Sequence, residues 1–177
     1  MSSLLGRKVK LLRSMPGLEV RLSEEADGEH WAAWLTERDV LRFYPMEGGE
    51  ERKESVARMQ SYARWRASLT AVYHGEVAGI GYLNLHPYRK IAHQAIFTII
   101  VGEKFQGRGI GTELLGHLER MAKDSYRIEV LHLEVYEGNP AHRLYRRLGY
   151  QDFGFQSHFI REAPGEYRGK IMMEKYL

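Results

Sequence analysis

The chain has 177 residues, enough for one domain with a proper hydrophobic core. Hydrophobic residues make up 44% and charged residues 28%, a globular balance that excludes a disordered chain. The net charge of +3 is too small to argue for nucleic acid, though it suits a modest anionic ligand, and the lack of cysteine excludes disulfides, thiolate zinc sites and a cysteine nucleophile and fits a cytosolic location.

The opening "MSSLLGRKVKLLRSMPG" is basic and lacks the uninterrupted apolar run of a secretory signal. Residues 1–16 are expected to form an extension, either a tail or an extra strand, ahead of a single domain over 17–177. No stretch approaches the roughly 18 apolar residues of a membrane span, so no membrane partner is expected. "LEVRL" (Leu18 to Leu22) alternates and predicts a first strand. Asp27 then precedes "GEHWAAWLTERDVLRF", one helix with Trp31, Trp34 and Leu35 on a single face, stopped at Pro45. A second helix, roughly Glu50 to Arg66, carries Val56, Met59, Tyr62 and Ala63 at helical spacing.

The period then changes. "LTAVYHGEVAGIGYLNLHP" holds two apolar runs around His74-Gly75-Glu76 and predicts a β-hairpin. "HQAIFTIIVG" reads as a central strand buried on both faces. "QGRGIGTELL" (Gln106 to Leu115) leads into a helix from about Thr112 to Lys123, whose apolar face is Leu114, Leu115, Leu118, Met121 and Ala122. "IEVLHLEVY" is another buried strand. In "NPAHRLYRRLGY" a short helix is punctuated by Asn139 as N-cap, Pro140 at the first helical position and Gly149 just past the end. "FGFQSHFI" and "KIMMEKYL" close the chain as two antiparallel strands. The order β–α–α–β–β–β–α–β–α–β–β implies a mixed sheet flanked by helices.

Glycines before a helix let backbone N–H groups approach an anion, because the helix N-terminus carries unpaired donors and partial positive charge. The spacing excludes a P-loop, which needs G-x-x-x-x-G-K-S/T, and the dinucleotide fingerprint G-x-G-x-x-G. Here Gly107, Gly109 and Gly111 are followed by Thr112, with Leu114 beyond. The glycines alone leave open a phosphate site or a tight strand-to-helix turn without ligand.

The surroundings shift that balance. Q-x-x-G-x-G (Gln106, Gly109, Gly111) follows a buried strand and opens an amphipathic helix, and "LEVYEGNPAHRLYRRLGYQDFG" stands downstream. Together these resemble the GCN5-related N-acetyltransferase (GNAT) family. Its second signature, N-x-x-A-x-x-x-Y-x-x-x-G-F/Y, is matched with Asn139, His142 in the alanine place, Tyr145 and Gly149-Tyr150, Ala141 lying one residue earlier. "WLTERDVLRFYP" and "GEYRGKIMMEKYL" look like the subgroup with ribosomal-protein-alanine, spermidine and some aminoglycoside acetyltransferases.

The resemblance implies an α/β (α+β) GNAT fold, a mixed and mostly antiparallel sheet of six to seven strands with about four helices, splayed between strands 4 and 5. It implies acetyl-CoA as cosubstrate and no metal. The backbone of Ile99, Ile100 and Val101 would pair with the pantetheine arm. Gln106, Gly107, Arg108, Gly109, Ile110, Gly111 and Thr112 would wrap the pyrophosphate, with Arg108 adding a charge-assisted contact. Asn139 would touch the pantetheine side, and Tyr145 would sit by the thioester sulfur and protonate the leaving thiolate. Arg143 could reach the 3′-phosphate.

Acetyl transfer to an amine needs loss of an amine proton, a donor for the thioester oxygen and an acid near the leaving thiolate. The N–H of Ile100 or Val101 could serve the oxygen. Many relatives carry a base glutamate in the fourth strand where Ile96 stands here. Replacements are His93, His132, Glu134 and Glu103, of which His132 and Glu134 share a face of the fifth strand; a water chain without a dedicated base is the alternative. By resemblance the acceptor side takes Arg42 to Pro45, Asn84 to Tyr88 and Arg161 to Arg168, with Phe43, Tyr44 and Tyr88 as an aromatic wall. Relatives often have aspartate where Gly169 stands.

The expected activity is acetyl-CoA-dependent N-acetylation of a primary amine, on a small molecule or a protein N-terminus, by direct attack in a ternary complex. The rival is a non-catalytic CoA-binding sensor or interaction module on the same fold. No nucleic-acid partner is expected, and monomer and homodimer both stay open.

Overall fold

A computed structural model describes residues 15–177, so the expected extension lies almost wholly outside the described residues. Seven strands form one sheet in the order β1-β2-β3-β4-β5-β7-β6. The strands are β1 (Leu18–Leu22), β2 (Ser68–Tyr73), β3 (Glu76–Leu85), β4 (Gln94–Val101), β5 (Val130–Tyr136), β6 (Gln151–Ala163) and β7 (Glu166–Tyr176). Every pairing is antiparallel except β4 with β5, which are joined through a crossover helix. The β2–β3 hairpin closes on His74 and Gly75, both at positive φ, the geometry a two-residue turn needs to match strand twist.

Five helices flank the sheet: α1 (Gly28–Trp34), α2 (Arg38–Leu41), α3 (Gly49–Arg64), α4 (Ile110–Tyr126) and α5 (Ala141–Arg147). The single helix expected before Pro45 is thus two. Its break lies at Thr36 and Glu37: the Thr36 hydroxyl donates back to the carbonyl of Ala33 at 2.7 Å, and Glu37 turns extended with ψ 127. A threonine side chain that bonds its own helix end competes with the next turn.

Two cores result. On one face, Ile110, Leu114, Leu115 and Leu118 of α4 pack with Leu83, Phe97, Leu131, Leu133 and Met173 of the strands, and Tyr145 and Tyr150 join them. On the other, Trp31, Trp34 and Leu35 pack with Met59 of α3 and with Ile80, Tyr82 and Ile100. Burying each of these large side chains stabilises by about 1.5–3 kcal/mol, which fixes the helices on the sheet. At the N-terminal edge Asp27 accepts from both Arg21 guanidinium nitrogens at 2.8 Å, from the N–H of Glu24 and from the Thr70 hydroxyl.

Candidate active site

β4 and β5 pair only at Gln94↔Val130, Ala95↔Leu131 and Ile96↔His132, then part company. Between them opens a cleft of about 860 Å³. Its walls come from both diverging strands, the loop 105–112, α5 and the segment between α2 and α3.

The free edge of β4 has a readable polarity. The N–H of Gly102 bonds Ala78 of β3, so by strand alternation Ile100 also turns its N–H and C=O to β3, opposite Ile80. Ile99 and Val101 turn theirs to the gap. The Val101 carbonyl accepts from Gln106 Nε2 at 3.1 Å and the Ile99 carbonyl from the Tyr44 hydroxyl at 2.7 Å. Of the three residues expected to pair with the pantetheine arm, Ile99 and Val101 therefore face the gap and Ile100 does not. Alternation along a strand forces this.

The glycine loop ends in α4, two residues earlier than the periodicity predicts. Gly107 and Gly109 have φ +72 and +86, open to glycine at little cost. The N–H groups of Gly107, Arg108, Gly109, Ile110 and Gly111 donate to no acceptor among the described residues, whereas that of Thr112 bonds Gly109. Successive free donors at the positive end of a 17-residue helix fit a pyrophosphate. Gln106, Gly107, Gly109, Ile110, Gly111 and Thr112 line the cleft, and Arg108 stands exposed beside them.

On the opposite wall, Asn139 Oδ1 accepts from the N–H of Ala141 at 2.9 Å, the expected cap, and Pro140 is already helical. Gly149 closes the helix at φ +92. Counted back from Tyr145, Ala141 rather than His142 falls in the alanine place of the signature, and Gly138 in the asparagine place. Ala141 packs against the core, while His142 bonds Asp152 of β6 through Nε2 at 2.9 Å. The Tyr145 ring meets Phe97 and Tyr150 edge-on, and its hydroxyl has no hydrogen-bond partner among the described residues. Burial pushes this phenol up to about 12, so it is a donor across the neutral range. Arg147 lines the cleft, whereas Arg143, the arginine singled out from the motif, does not.

Glu134 lines the cleft and accepts from Lys170 Nζ at 2.8 Å. His132 shares its strand face but lies at the paired end, hydrogen-bonded through Nε2 to Gln94 Oε1 at 2.6 Å and outside the cleft lining. Its burial holds the imidazole pKa down, against the opposing pull of Glu174. His93 and Glu103 are exposed and also lie outside the cleft, and Ile96 lines it with no acid-base group.

Phe43 and Tyr44 form part of the cleft wall; Tyr88 does not, being 73% exposed. Burial raises the Tyr44 phenol well above its ordinary value, with the nearby phenols of Tyr145, Tyr82 and Tyr136 adding to it. Arg168 ties the last hairpin to this wall: it donates to the Arg42 carbonyl at 2.6 Å and pairs with Glu162 at 2.6 Å. The tip of the exposed Phe155 ring lies where a Cβ on Gly169 would stand, so a side chain at 169 would have to displace that ring. The sequence reading missed Lys170. Its signal is a charge at the head of the apolar run "IMM", on the same strand face as Met172.

The strand pair opens above a glycine-initiated helix, with a phenol at the opening that has no partner among the described residues. The acetyltransferase (GNAT) family model matches residues 29–150, and the chain belongs to that family. It is 30% identical over 82 residues to the ribosomal protein bS18-alanine N-acetyltransferase of Haemophilus influenzae, covering 46% of this chain and 56% of that one. It is 30% identical over 110 residues to an N-alpha-acetyltransferase of Sulfurisphaera tokodaii, covering 57% of this chain and 66% of that one. The matched stretches thus span less than two thirds of these relatives. In fold it resembles yncA from Salmonella typhimurium, solved with its cofactor acetyl-CoA, with a TM-score of 0.76, 17% identity, and coverage of 91% of this chain and 94% of that one.

Proposed function

We propose that the chain transfers the acetyl group of acetyl-CoA to a primary amine, on a small molecule or a protein N-terminus. One observation carries this reading: the β4–β5 gap opens between the N–H groups of residues 107–111 and the Tyr145 hydroxyl, none of which has a partner among the described residues. The sequence likeness to acetyltransferases that act on protein alanine and α-amino groups supports the acceptor class.

Bound acetyl-CoA would supply an acetyl group activated as a thioester, which a neutral amine accepts with release of the CoA thiol. The loop amides of residues 107–111, with Arg108 and Arg147 nearby, would hold its phosphates. The N–H groups of Ile99 and Val101 would hold its arm, with Val101 the nearer to the glycine loop. Asn139, whose oxygen is used by its own helix, has its amide nitrogen left to donate. Tyr145 would donate a hydrogen bond to the sulfur as charge grows there. A phenol near 12 gives up its proton reluctantly, so the hydrogen bond rather than full transfer is its contribution. Among the bases expected from the sequence, Glu134 is the one that lines the cleft and could take the amine proton, directly or through water; His132 is held away by Gln94. Phe43 and Tyr44 would flank the acceptor.

Incubation with acetyl-CoA and a panel of polyamines, aminoglycosides and peptides with free N-termini, read as thiol release and acceptor mass gain, tests the proposal. A mass gain of one acetyl group on an amine is expected. Tight CoA binding with no thiol release on any acceptor would favour the non-catalytic binding module instead.

A further inference from the structure

Tyr44 sits on the acceptor wall yet bonds the donor strand. Its hydroxyl donates to the Ile99 carbonyl at 2.7 Å, on the edge of β4 that faces the gap. Gln106 caps the next gap-facing carbonyl, that of Val101, at 3.1 Å. Without a ligand, the Ile99 and Val101 carbonyls on this edge of β4 are therefore both engaged by side chains. A pantetheine arm contains two secondary amides, each with a donor and an acceptor. An amide that adds to a strand edge needs a carbonyl as well as an N–H. Across the gap β5 has already parted from β4, so along β4 the Ile99 carbonyl is the acceptor next to the N–H of Val101 that such an amide would need.

We propose that the Tyr44 hydroxyl and the pantetheine arm of the donor compete for the carbonyl of Ile99, so that donor binding releases the Phe43–Tyr44 wall and the acceptor site is completed only afterwards. The inference rests on the reading that acetyl-CoA lies along β4. Tyr44 is then a positioning residue that couples the two halves of the cleft. The loop that carries it is short and pinned at both sides. The N–H of Tyr44 bonds Leu41 and that of Phe43 bonds Val40, and Arg168 holds the Arg42 carbonyl from the last hairpin. Loss of the Ile99 bond frees the phenol while the arginine keeps the loop attached. Tyr44 and Tyr145 line the same cleft, so the freed phenol stays within it. A ligand shifts such an equilibrium only by its different affinity for the two states, and the shared carbonyl supplies that difference.

The test is calorimetric titration of CoA into the full chain and into its Tyr44→Phe variant, with amide hydrogen exchange of the wild type. Tyr44→Phe keeps the ring and removes the competitor. One net hydrogen bond no longer has to be broken, so CoA should bind the variant roughly 2- to 10-fold more tightly. General damage to the cleft would weaken binding, so tighter binding separates competition from a merely structural role. In the wild type, CoA should speed exchange at Phe43, Tyr44 and Met46. Equal or weaker CoA binding by the variant overturns the inference, and so does slower exchange in that segment. Should the variant fail to fold, the wild-type exchange decides. A wild-type chain that binds neither CoA nor acetyl-CoA overturns the donor assignment and this inference with it.

Discussion

The ammonium of Lys170 on β7 donates to the Glu134 carboxylate of β5 at 2.8 Å, and the same nitrogen lies 3.7 Å from the centre of the Phe159 ring. The pair is lopsided. Lys170 is 7% exposed, whereas the glutamate looks into the cleft. The lysine depends on the glutamate for its compensation; the glutamate has water as a second choice.

That asymmetry predicts unequal costs. Glu134→Gln strips a buried ammonium of its counter-charge and should lower unfolding free energy by about 1–3 kcal/mol, below the range for a fully buried pair because the glutamate is partly solvated. Lys170→Met should cost clearly less, since its carboxylate partner can hydrate. Urea denaturation of both variants checks the order, and equal losses would contradict it.

Tyr145→Phe should lower kcat by about 100-fold, the scale of one lost transition-state donor. CoA affinity should stay within about twofold, because the hydroxyl makes no bond among the described residues that the change would break. Steady-state kinetics with calorimetry separates the two quantities. The wild-type pH profile carries a second expectation. The phenol is pushed up to about 12 and stays protonated below that value. Tyr145 should therefore contribute no alkaline loss of kcat up to about pH 10. A limb near the ordinary tyrosine value that vanishes in Tyr145→Phe would contradict it.

Two loop glycines should respond differently. Gly109→Ala forces a side chain into φ +86 and should cost about 1–2 kcal/mol of stability together with CoA affinity. Gly111 lies inside α4 at ordinary φ, where a Cβ meets only Val101 at 3.5 Å. Gly111→Ala should leave stability unchanged or slightly raised, by up to about 1 kcal/mol, and lower CoA affinity by crowding the phosphates. Thermal melts beside titrations test the split.

Burial alone would raise the Asp27 pKa, but hydrogen bonds from Arg21, the Glu24 N–H and Thr70 outweigh it and hold the carboxyl below its ordinary value. A carboxyl depressed on folding stabilises above the unfolded pKa, and that contribution is lost as pH falls through the folded one. The wild type should therefore lose stability progressively below about pH 4–5. Asp27→Asn should be about 2–4 kcal/mol less stable at neutral pH, with a flatter acid dependence. Denaturation midpoints across pH 3–8 decide it.

The features legible in sequence were those that depend on neighbours a few residues away. Gly107 and Gly109 marked a loop whose backbone N–H groups stand open, Asn139 and Gly149 bracketed α5, and the apolar stripe of α4 followed from its own period. The Thr36 break was present in the letters but hidden by a hydrophobic stripe that continues across it. Local chemistry also fixed Tyr145 on α5.

What the tertiary structure decided was partnership across the chain. Which β4 residues face the gap depends on the register with β3, and that register turned Ile100 away. His132 and Glu134 sit two residues apart on one strand, yet the last paired rung of β4 and β5 captures the first and frees the second. Tyr44 and Ile99 are 55 residues apart, and their bond exists because two elements converge on one cleft. Short-range backbone preferences and hydrophobic period are written in order along a sequence. The identity of a hydrogen-bond partner across a sheet is set only once packing has chosen the register.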